Sequence, residues 1–209
     1  MSGYGRIYAT IDLDAVSYNL DSIQKKISSG TDIIAVVKAD GYGHGALEIS
    51  RMLEREPRVF GFAVASAEEA FALRDFGIQK PVLILGYTFA EDYEALVLQN
   101  IRPTVYSYEM AQAYDAAALK AGTKALLHIK VDTGMGRIGY PVTREAADEI
   151  AEIAALPGIE IEGLFTHFAR ADERDKTESR RQLALYREML TLLEDRHVYV
   201  SYKHCSNSA

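Results

Sequence analysis

The sequence predicts an α/β protein, specifically a (β/α)₈ TIM barrel that stops after its seventh strand. Three observations favour this fold. Strand-like and helix-like segments alternate without interruption, the strand-like segments are mostly continuous apolar runs, and no early phosphate loop of the GxGxxG or GxxxxGK[ST] type is present. A doubly wound sheet, the competing architecture, usually carries such a loop, and "GYGHG" at 41–45 has a different spacing. Seven uninterrupted units therefore favour the barrel, one unit short of eight.

The first units are read from periodicity and from helix start and stop signals. An opening helix places apolar residues at spacings of three and four, namely Leu13, Val16, Leu20, Ile23 and Ile27. The run "DIIAVVKA" predicts a first strand buried on both faces, and a helix over 46–54 follows it. "VFGFAVAS" predicts the second strand. After it, Ser66 and Glu69 predict a capping box that opens the helix "AEEAFALRDF", and Gly77 predicts its end.

The later units repeat this order. "PVLILGY" and "RPTVYS" predict the third and fourth strands, followed by the helices "AEDYEALVLQN" and "SYEMAQAYDAAALKAG". "ALLHIKVDTG" predicts the fifth strand, before a helix that begins near Thr143. "IEIEGLFTHF" predicts the sixth, and "VSYKHCSNS" the seventh, with a long helix between them that carries Leu183, Tyr186, Leu190 and Leu193. No linker interrupts this pattern, so we expect residues 1–209 to form one incomplete barrel domain.

An incomplete barrel has a structural consequence. A barrel that lacks one strand leaves two strand edges unpaired, and unpaired edges are prone to association. We therefore expect the chain to be a fragment of a longer protein.

Composition excludes several classes of function. The 209 residues carry a net charge of −7 with scattered basic residues, which argues against a nucleic-acid partner. The apolar runs are too short to cross a bilayer, and the start lacks the apolar core of a signal peptide. The single cysteine, Cys205, excludes an internal disulfide and is typical of the reducing cytoplasm. One cysteine and histidines without metal spacing, His128, His197 and His204, argue against a metal site.

Polar residues fall where the predicted strands end, which is where barrel enzymes carry their chemistry. Lys38 ends the first strand in "AVVKADGYGHGA", and three glycines follow within five positions. Glycines let backbone N–H groups approach an anion closely. A lysine in an apolar pocket loses its charge readily and forms a Schiff base with a carbonyl compound, above all pyridoxal phosphate. The alternative is a lysine that extends to solvent at the barrel rim.

Four segments of the chain resemble the alanine racemase family of fold type III pyridoxal phosphate enzymes. They are "AVVKADGYGHGA", "KVDTGMGRIG", "FTHFARAD" and "CSNSA", in the family's order and at its usual separations. Related barrels, such as the decarboxylases of basic amino acids, share the lysine but not this set. The resemblance implies a barrel followed by a C-terminal β-domain, in a head-to-tail homodimer.

The resemblance also implies a role for particular residues. Lys38 would bind pyridoxal 5′-phosphate covalently and act as a catalytic base, and Tyr42 would hydrogen-bond the cofactor phosphate. His167 would hold an arginine that faces the pyridine nitrogen, while Ser208 would donate to the phosphate with Asn207 beside it. Arg137 would pair with the substrate carboxylate or with the cofactor's phenolic oxygen.

Further residues have roles on the same basis. Lys130 would carry a carbamate that supports Arg137. Leu85 and Met135 would line the wall, and His44 would orient the loop. The second catalytic base, a partner-subunit tyrosine, and the pyridine-facing arginine would lie beyond residue 209, so we expect little activity from these residues alone.

Two classes of function remain open at this point. The leading interpretation is a cytoplasmic racemase that interconverts L-alanine and D-alanine for cell-wall precursors, with a serine racemase as its close variant. The other is a barrel that binds pyridoxal phosphate without racemising. Lys130 and Arg137 argue against the second class, because a cofactor carrier needs no grip on a substrate carboxylate.

Overall fold

Parallel strands joined by helices make up the chain, in the order that the sequence predicts. The computed structural model describes residues 7–207. The chain divides into two compact units, a first unit Met1–Pro81 and a second unit Val82–Ala209. Of the helices between residues 7 and 207, none combines the length and the apolar character that crossing a membrane requires.

The first unit contains two parallel strands and their helices. The strands are β1 (Ile33–Val36) and β2 (Val59–Val64), and the helices are α1 (Leu13–Gln24), α2 (Lys38–Gly43), α3 (Ala46–Leu53) and α4 (Ala67–Asp75). Asp12 caps α1 by accepting hydrogen bonds from the backbone N–H groups of Asp14 and Ala15. Ser66 caps α4 in the same way, through the N–H of Glu69, but the predicted capping box is incomplete, because the Glu69 carboxylate accepts from other N–H groups.

Two expectations for the first unit are wrong. β1 is not buried on both faces, since Ile33, Ile34 and Ala35 are half-buried and Val36 is 42% exposed. In the described part of the chain β1 pairs with β2 alone, so it lacks the second neighbour that an interior strand has. The opening helix ends at Gln24, so Ile27 lies beyond it and Ile23 is 50% exposed.

The second unit is a parallel sheet with the strand order β3-β4-β5-β7-β8. These strands are β3 (Val82–Ile84), β4 (Ile101–Val105), β5 (Ala125–Asp132), β7 (Ile159–His167) and β8 (Tyr202–Ser206). The helices are α5 (Tyr93–Leu98), which follows a 3₁₀ turn at Ala90–Asp92, then α6 (Tyr108–Ala121), α7 (Arg144–Ala154) and α8 (Thr177–Glu194). The sequence did not predict β6 (Tyr140–Pro141), a two-residue strand that pairs with the end of β5.

The core of the second unit lies between the sheet and its helices. Its fully buried side chains include Leu127, Ile129, Ile150, Ile153, Leu164, Met189 and Leu193. The buried face of α8 is centred on Gln182, Tyr186, Met189 and Leu193, one position away from the predicted Leu183 and Leu190, which are half-buried. Because β5, β7 and β8 are parallel, their carboxyl ends at Asp132, His167 and Ser206 share one edge of the sheet.

Candidate active site

A left-handed turn begins at Ala39, directly after Lys38 and close to the carboxyl end of β1. Ala39, Asp40, Gly41 and Tyr42 all have positive φ, between 51° and 60°, with ψ between 37° and 51°. Three of these four are not glycine, and a left-handed conformation costs such residues roughly 1–2 kcal/mol each. Strain of this kind persists only where surrounding contacts impose it, and it is concentrated at functional sites.

Three hydrogen bonds from two neighbouring segments hold this turn. The Asp40 carboxylate accepts from the N–H of Ala46 at 2.9 Å, and the Asp40 carbonyl accepts from the N–H of Gly45 at 2.9 Å. The N–H of Ala39 donates to Glu69 Oε1 at 2.7 Å, across from α4. The turn is therefore held by α4 at its beginning and by the start of α3 at its end.

The turn sets Lys38 and Tyr42 side by side. Lys38 is half-buried, and its Nζ lies 5.9 Å from the centre of the Tyr42 ring, while Tyr42 is 55% exposed. His44 Nδ1 lies 3.1 Å from the Gly41 carbonyl oxygen, within the same loop. The Lys38 amine and the Tyr42 phenol thus lie close together near the carboxyl end of β1.

In the second unit, Asp132 organises the loop that leads to Arg137. One carboxylate accepts hydrogen bonds from the N–H groups of Gly134, Met135 and Gly136 at 2.8–3.1 Å. Burial alone would raise the pKa of Asp132, but these three hydrogen bonds and the nearby Lys130 ammonium lower it overall. The loop is fixed around a carboxylate that stays ionised, and the exposed Arg137 follows it.

Lys130 is buried beneath this loop, with 2% of its surface exposed. Its Nζ donates to the carbonyl of Val131 at 2.6 Å and to that of Ile138 at 3.3 Å, and lies 5.7 Å from the Phe165 ring centre. Burial lowers the pKa of Lys130 to about 8; Asp132 opposes this shift and the Arg137 charge adds to it. The positive charges of Lys130 and Arg137 therefore repel each other.

The end of β7 is held by a buried glutamine. Gln182, fully buried on α8, donates through Nε2 to Thr133 Oγ1 and to the His167 carbonyl, both at 3.2 Å. Its Oε1 accepts from the N–H of Ala169 at 3.0 Å. This one amide joins the loop after β5 to the loop after β7.

Asn207 also forms a hydrogen bond to the loop after β7. Its Nδ2 donates to the Phe168 carbonyl at 3.3 Å, so the main chain of three consecutive residues, 167–169, is held by side chains. The structure thus brings His167 and Asn207 together through this loop. Ser208, the predicted phosphate donor, lies outside the described residues. Leu85 and Met135, the predicted wall residues, are half-buried.

A buried polar chain crosses four strands below this edge. Arg102 on β4 pairs with both carboxylate oxygens of Glu162 on β7, at 3.0 and 3.1 Å. Glu162 Oε2 lies 3.2 Å from His128 Nε2 on β5, and His128 Nδ1 lies 2.9 Å from His204 Nε2 on β8. His204 in turn stacks on Phe165, with 4.8 Å between ring centres and 3° between planes.

Two backbone features make this chain possible. Glu162 has no partner in the β5–β7 register, because Leu127 pairs with Ile161 and His128 with Gly163; this bulge redirects the Glu162 side chain. Gly163 leaves room for the imidazole, since a Cβ at this position would lie 2.6 Å from His128 Nδ1. The His128 ring therefore crosses above β7 and reaches β8.

Two groups in this polar chain, Glu162 and His204, have strongly shifted pKa values. Burial alone would raise the pKa of Glu162, but hydrogen bonds from His128 and Arg102 outweigh it and lower the pKa to about 2. Burial, with a smaller effect of His128, lowers the pKa of His204 to about 3, so this imidazole is neutral at pH 7. In the described residues, no cluster of three His, Cys, Asp or Glu side chains is placed to hold a metal ion.

Sequence reasoning missed Gln182, the hydrogen bonds of the Glu69 carboxylate to Ala39 and Ala65, and the polar chain. Signals for two of them are visible in retrospect. Gln182 continues the apolar spacing of Tyr186, Met189 and Leu193, where a polar residue must find buried partners. His128 and Lys130 alternate on one face of a buried strand, which is unusual for charged and titratable residues.

Comparison with known proteins gives a consistent result. The family model described as "Alanine racemase, N-terminal domain" matches residues 11–209. The alanine racemase of Clostridium tetani (strain Massachusetts / E88) is 45% identical over 203 residues, which is 97% of this chain and 52% of that protein. The chain therefore spans about half the length of the curated relatives that it matches.

Solved structures agree. The alanine racemase of Clostridium difficile 630 superposes with a TM-score of 0.92 at 42% identity, covering 95% of this chain and 52% of that one. Histidine racemase from Leuconostoc mesenteroides subsp. sake NBRC 102480 gives a TM-score of 0.82 at 28% identity, covering 92% and 50%. These likenesses confirm the predicted class, a truncated (β/α) barrel, to which the described residues contribute seven parallel strands besides the short β6.

Proposed function

Because the chain belongs to the alanine racemase family, we propose that this protein is a pyridoxal phosphate-dependent racemase that interconverts L-alanine and D-alanine. The observation that carries the proposal is Lys38 at the carboxyl end of β1, on a left-handed turn that hydrogen bonds hold in place. Alanine racemases up to 45% identical match nearly the whole chain, which favours alanine over the serine alternative. The same likeness argues against a barrel that only carries the cofactor.

The residues present suit this cofactor. A half-buried amine at Lys38 would bind it covalently, and the neighbouring Tyr42 would offer its hydroxyl to the phosphate. We propose further cofactor contacts for His167, Asn207 and Ser208, because the segments that carry them resemble those of the family. Bound pyridoxal phosphate supplies an electron sink that makes the α-proton of an amino acid acidic.

The protein's own groups would then move the proton and hold the substrate. The Lys38 amine would remove or return the α-proton on one face of the amino acid. The exposed Arg137, with its planar pair of N–H donors, would bind the substrate carboxylate. Racemisation needs a second base on the opposite face, for which we propose a tyrosine of the partner subunit in a homodimer.

Lys130 would support Arg137 as a carbamate. A neutral amine attacks carbon dioxide, forms a new N–C bond and releases one proton, so the product carries one negative charge. With a pKa of about 8, about one Lys130 in ten is neutral at pH 7, against fewer than about one in a thousand for an ordinary lysine. A carbamate would replace a like charge near Arg137 by an opposite one, a change of several kcal/mol at 4 Å and an effective dielectric near 20, by roughly 332/(ε·r).

The proposal is tested by trapping the cofactor and by measuring racemisation. The protein is loaded with pyridoxal phosphate and reduced with borohydride, and we expect the label on the peptide containing Lys38 and no label in Lys38→Ala. Racemisation of alanine, serine and histidine is then compared, with alanine expected to react fastest. Histidine is included because a histidine racemase shares this fold. Label on another lysine, or no racemisation of alanine by the full-length protein, would refute the proposal.

We also propose a cytoplasmic enzyme that supplies D-alanine for peptidoglycan precursors. The single cysteine supports a reducing compartment, and the amino-acid substrate supports a metabolic role. Fractionation of the source cells and sedimentation of the full-length protein would test the compartment and the homodimer.

A further inference from the structure

Glu69 does not complete the capping box that its position predicts. In a capping box its carboxylate would accept the N–H of Ser66. Instead, Oε2 accepts from the N–H of Ala65 and Oε1 from the N–H of Ala39, both at 2.7 Å. Ser66 still caps α4 by itself, through the N–H of Glu69 at 3.4 Å. The carboxylate is therefore not needed to start the helix.

The two N–H groups that Glu69 joins follow the two parallel strands of the first unit. Ala65 comes directly after β2, and Ala39 comes directly after Lys38. Ala39 is also the first residue of the left-handed turn, with φ 51° and ψ 51°. A half-buried carboxylate thus fixes the point where the chain leaves ordinary backbone geometry.

We propose that Glu69 is a positioning residue for Lys38, which holds the left-handed turn that aims the lysine amine. Without this acceptor, Ala39 would return to an ordinary conformation, because left-handed geometry is unfavourable for a residue with a Cβ. That rotation about the bond next to Lys38 would move its side chain. The inference rests on the proposed cofactor role of Lys38 and adds to it the residue that keeps the amine in place.

The chain offers a matched pair of variants for the test. In Glu69→Gln, one amide oxygen accepts one N–H, but the amide NH₂ meets the other N–H, and two donors cannot bond. Glu68→Gln makes the same change of charge one residue earlier, in the same first turn of α4, at an exposed position. Only Glu69 contacts the turn, so the difference between the two variants isolates this contact.

Two readouts are compared in the full-length protein. Amide hydrogen exchange of residues 39–46 reports the turn without any cofactor, and the rate at which borohydride traps pyridoxal phosphate on Lys38 reports the amine. We expect Glu69→Gln to speed exchange and to slow capture by about tenfold each, the size expected when a hydrogen bond to a charged group is lost. Glu68→Gln should match the wild type in both.

A rescue variant separates positioning from general stability. Glycine adopts left-handed geometry at no steric cost, so Ala39→Gly removes the strain that Glu69 opposes. Added to Glu69→Gln, it should restore part of the capture rate, whereas a loss of helix stability in α4 would not respond to a change at residue 39. If Glu69→Gln does not fold, Glu69→Asp takes its place, because its shorter side chain cannot reach both N–H groups.

Equal exchange and equal capture in Glu69→Gln and Glu68→Gln would overturn the inference. The proposed function fails separately, if the wild type traps no cofactor on Lys38. The exchange measurement still decides in that case whether Glu69 holds the turn.

Discussion

Lys130 combines deep burial with a lowered pKa. Its Nζ meets two backbone carbonyls, those of Val131 and Ile138, which accept N–H but offer no charge to balance an ammonium. A carbamate keeps one N–H for these carbonyls and directs its two oxygens elsewhere. The lowered pKa therefore makes a neutral amine, the form that reacts with carbon dioxide, more abundant at Lys130 than at an ordinary lysine.

We predict branched electron density at the tip of Lys130 in crystals grown with bicarbonate, within hydrogen-bond reach of Arg137. The neutral amine is the reacting form, so the modified fraction should rise as the pH rises through about 8. Crystals grown at pH 6 and pH 9 with equal dissolved carbon dioxide provide the comparison. An unbranched side chain at both pH values, still bound to the Val131 carbonyl, would contradict the prediction.

At the scale of single residues, sequence reasoning found the lysines that lie at or near the end of an apolar strand. Lys38 and Lys130 could be identified because a charged residue at the end of an apolar run is conspicuous. Glu69 could not, because its spacing from Ser66 has a sufficient local explanation. Its true partner, Ala39, is 30 residues away, and only the pairing of β1 with β2 brings the two together.

Among the elements, the loops after β5 and β7 depend on α8. Gln182 makes three hydrogen bonds, to Thr133, His167 and Ala169, and is fully buried. Buried amides that lose their partners are costly, so this contact fixes both loops relative to the helix. The sequence predicted the positions of both loops, but it could not show that Gln182, 15 residues after His167, holds the two loops together.

We predict that Gln182→Met raises the KM for alanine by about tenfold in the full-length protein, with a smaller loss in kcat. Methionine fills the space but bonds neither loop, so Arg137 and His167 lose their fixed positions, and small misplacements of this kind cost up to about 100-fold in rate. Met189→Ala, on the same helix and equally buried, is the control for lost stability alone. A similar KM in both variants would show that Gln182 serves only packing.

Element boundaries were predicted where the signals are local and missed where they are not. The helices α4, α6 and α7 begin where the sequence predicts, and Ser66, Ser107 and Thr143 cap them, because a side chain and an N–H three residues away suffice. The left-handed turn after Lys38 was not predicted, since its three non-glycine residues disfavour it locally. Contacts from α3 and α4 impose it instead.

At the scale of the whole molecule, the strand–helix order could be predicted because each unit repeats one pattern. The polar chain inside the second unit could not, because it depends on a bulge at Glu162 and on the space at Gly163. Through this chain, Arg102, Glu162, His128 and His204 connect β4, β5, β7 and β8. Its charges make the stability of the protein depend on pH.

The direction of that dependence follows from the two shifted groups. Glu162 has a folded pKa of about 2, below its ordinary 4.5, so its stabilising effect is complete above pH 4.5 and is lost as the pH falls towards 2. His204 has a folded pKa of about 3, below its ordinary 6.5, so between these values the unfolded chain binds the additional proton. Both groups therefore lower the free energy of unfolding as the pH falls, His204 first and Glu162 later.

We predict that the free energy of unfolding in urea decreases from pH 6.5 downwards and that His204→Gln removes part of the decrease between pH 6.5 and 4.5.

Glu162→Gln should lower the free energy of unfolding at pH 7 by about 3 kcal/mol, since one partner of a buried ion pair is lost. This deficit should shrink towards pH 2, where wild-type Glu162 is also becoming neutral. Glu160→Gln, on the same strand but exposed, should stay close to the wild type at every pH. A deficit in Glu162→Gln that is the same at pH 7 and pH 3 would mean that the carboxylate charge contributes nothing, and the interpretation of the chain as an ionised network would be wrong.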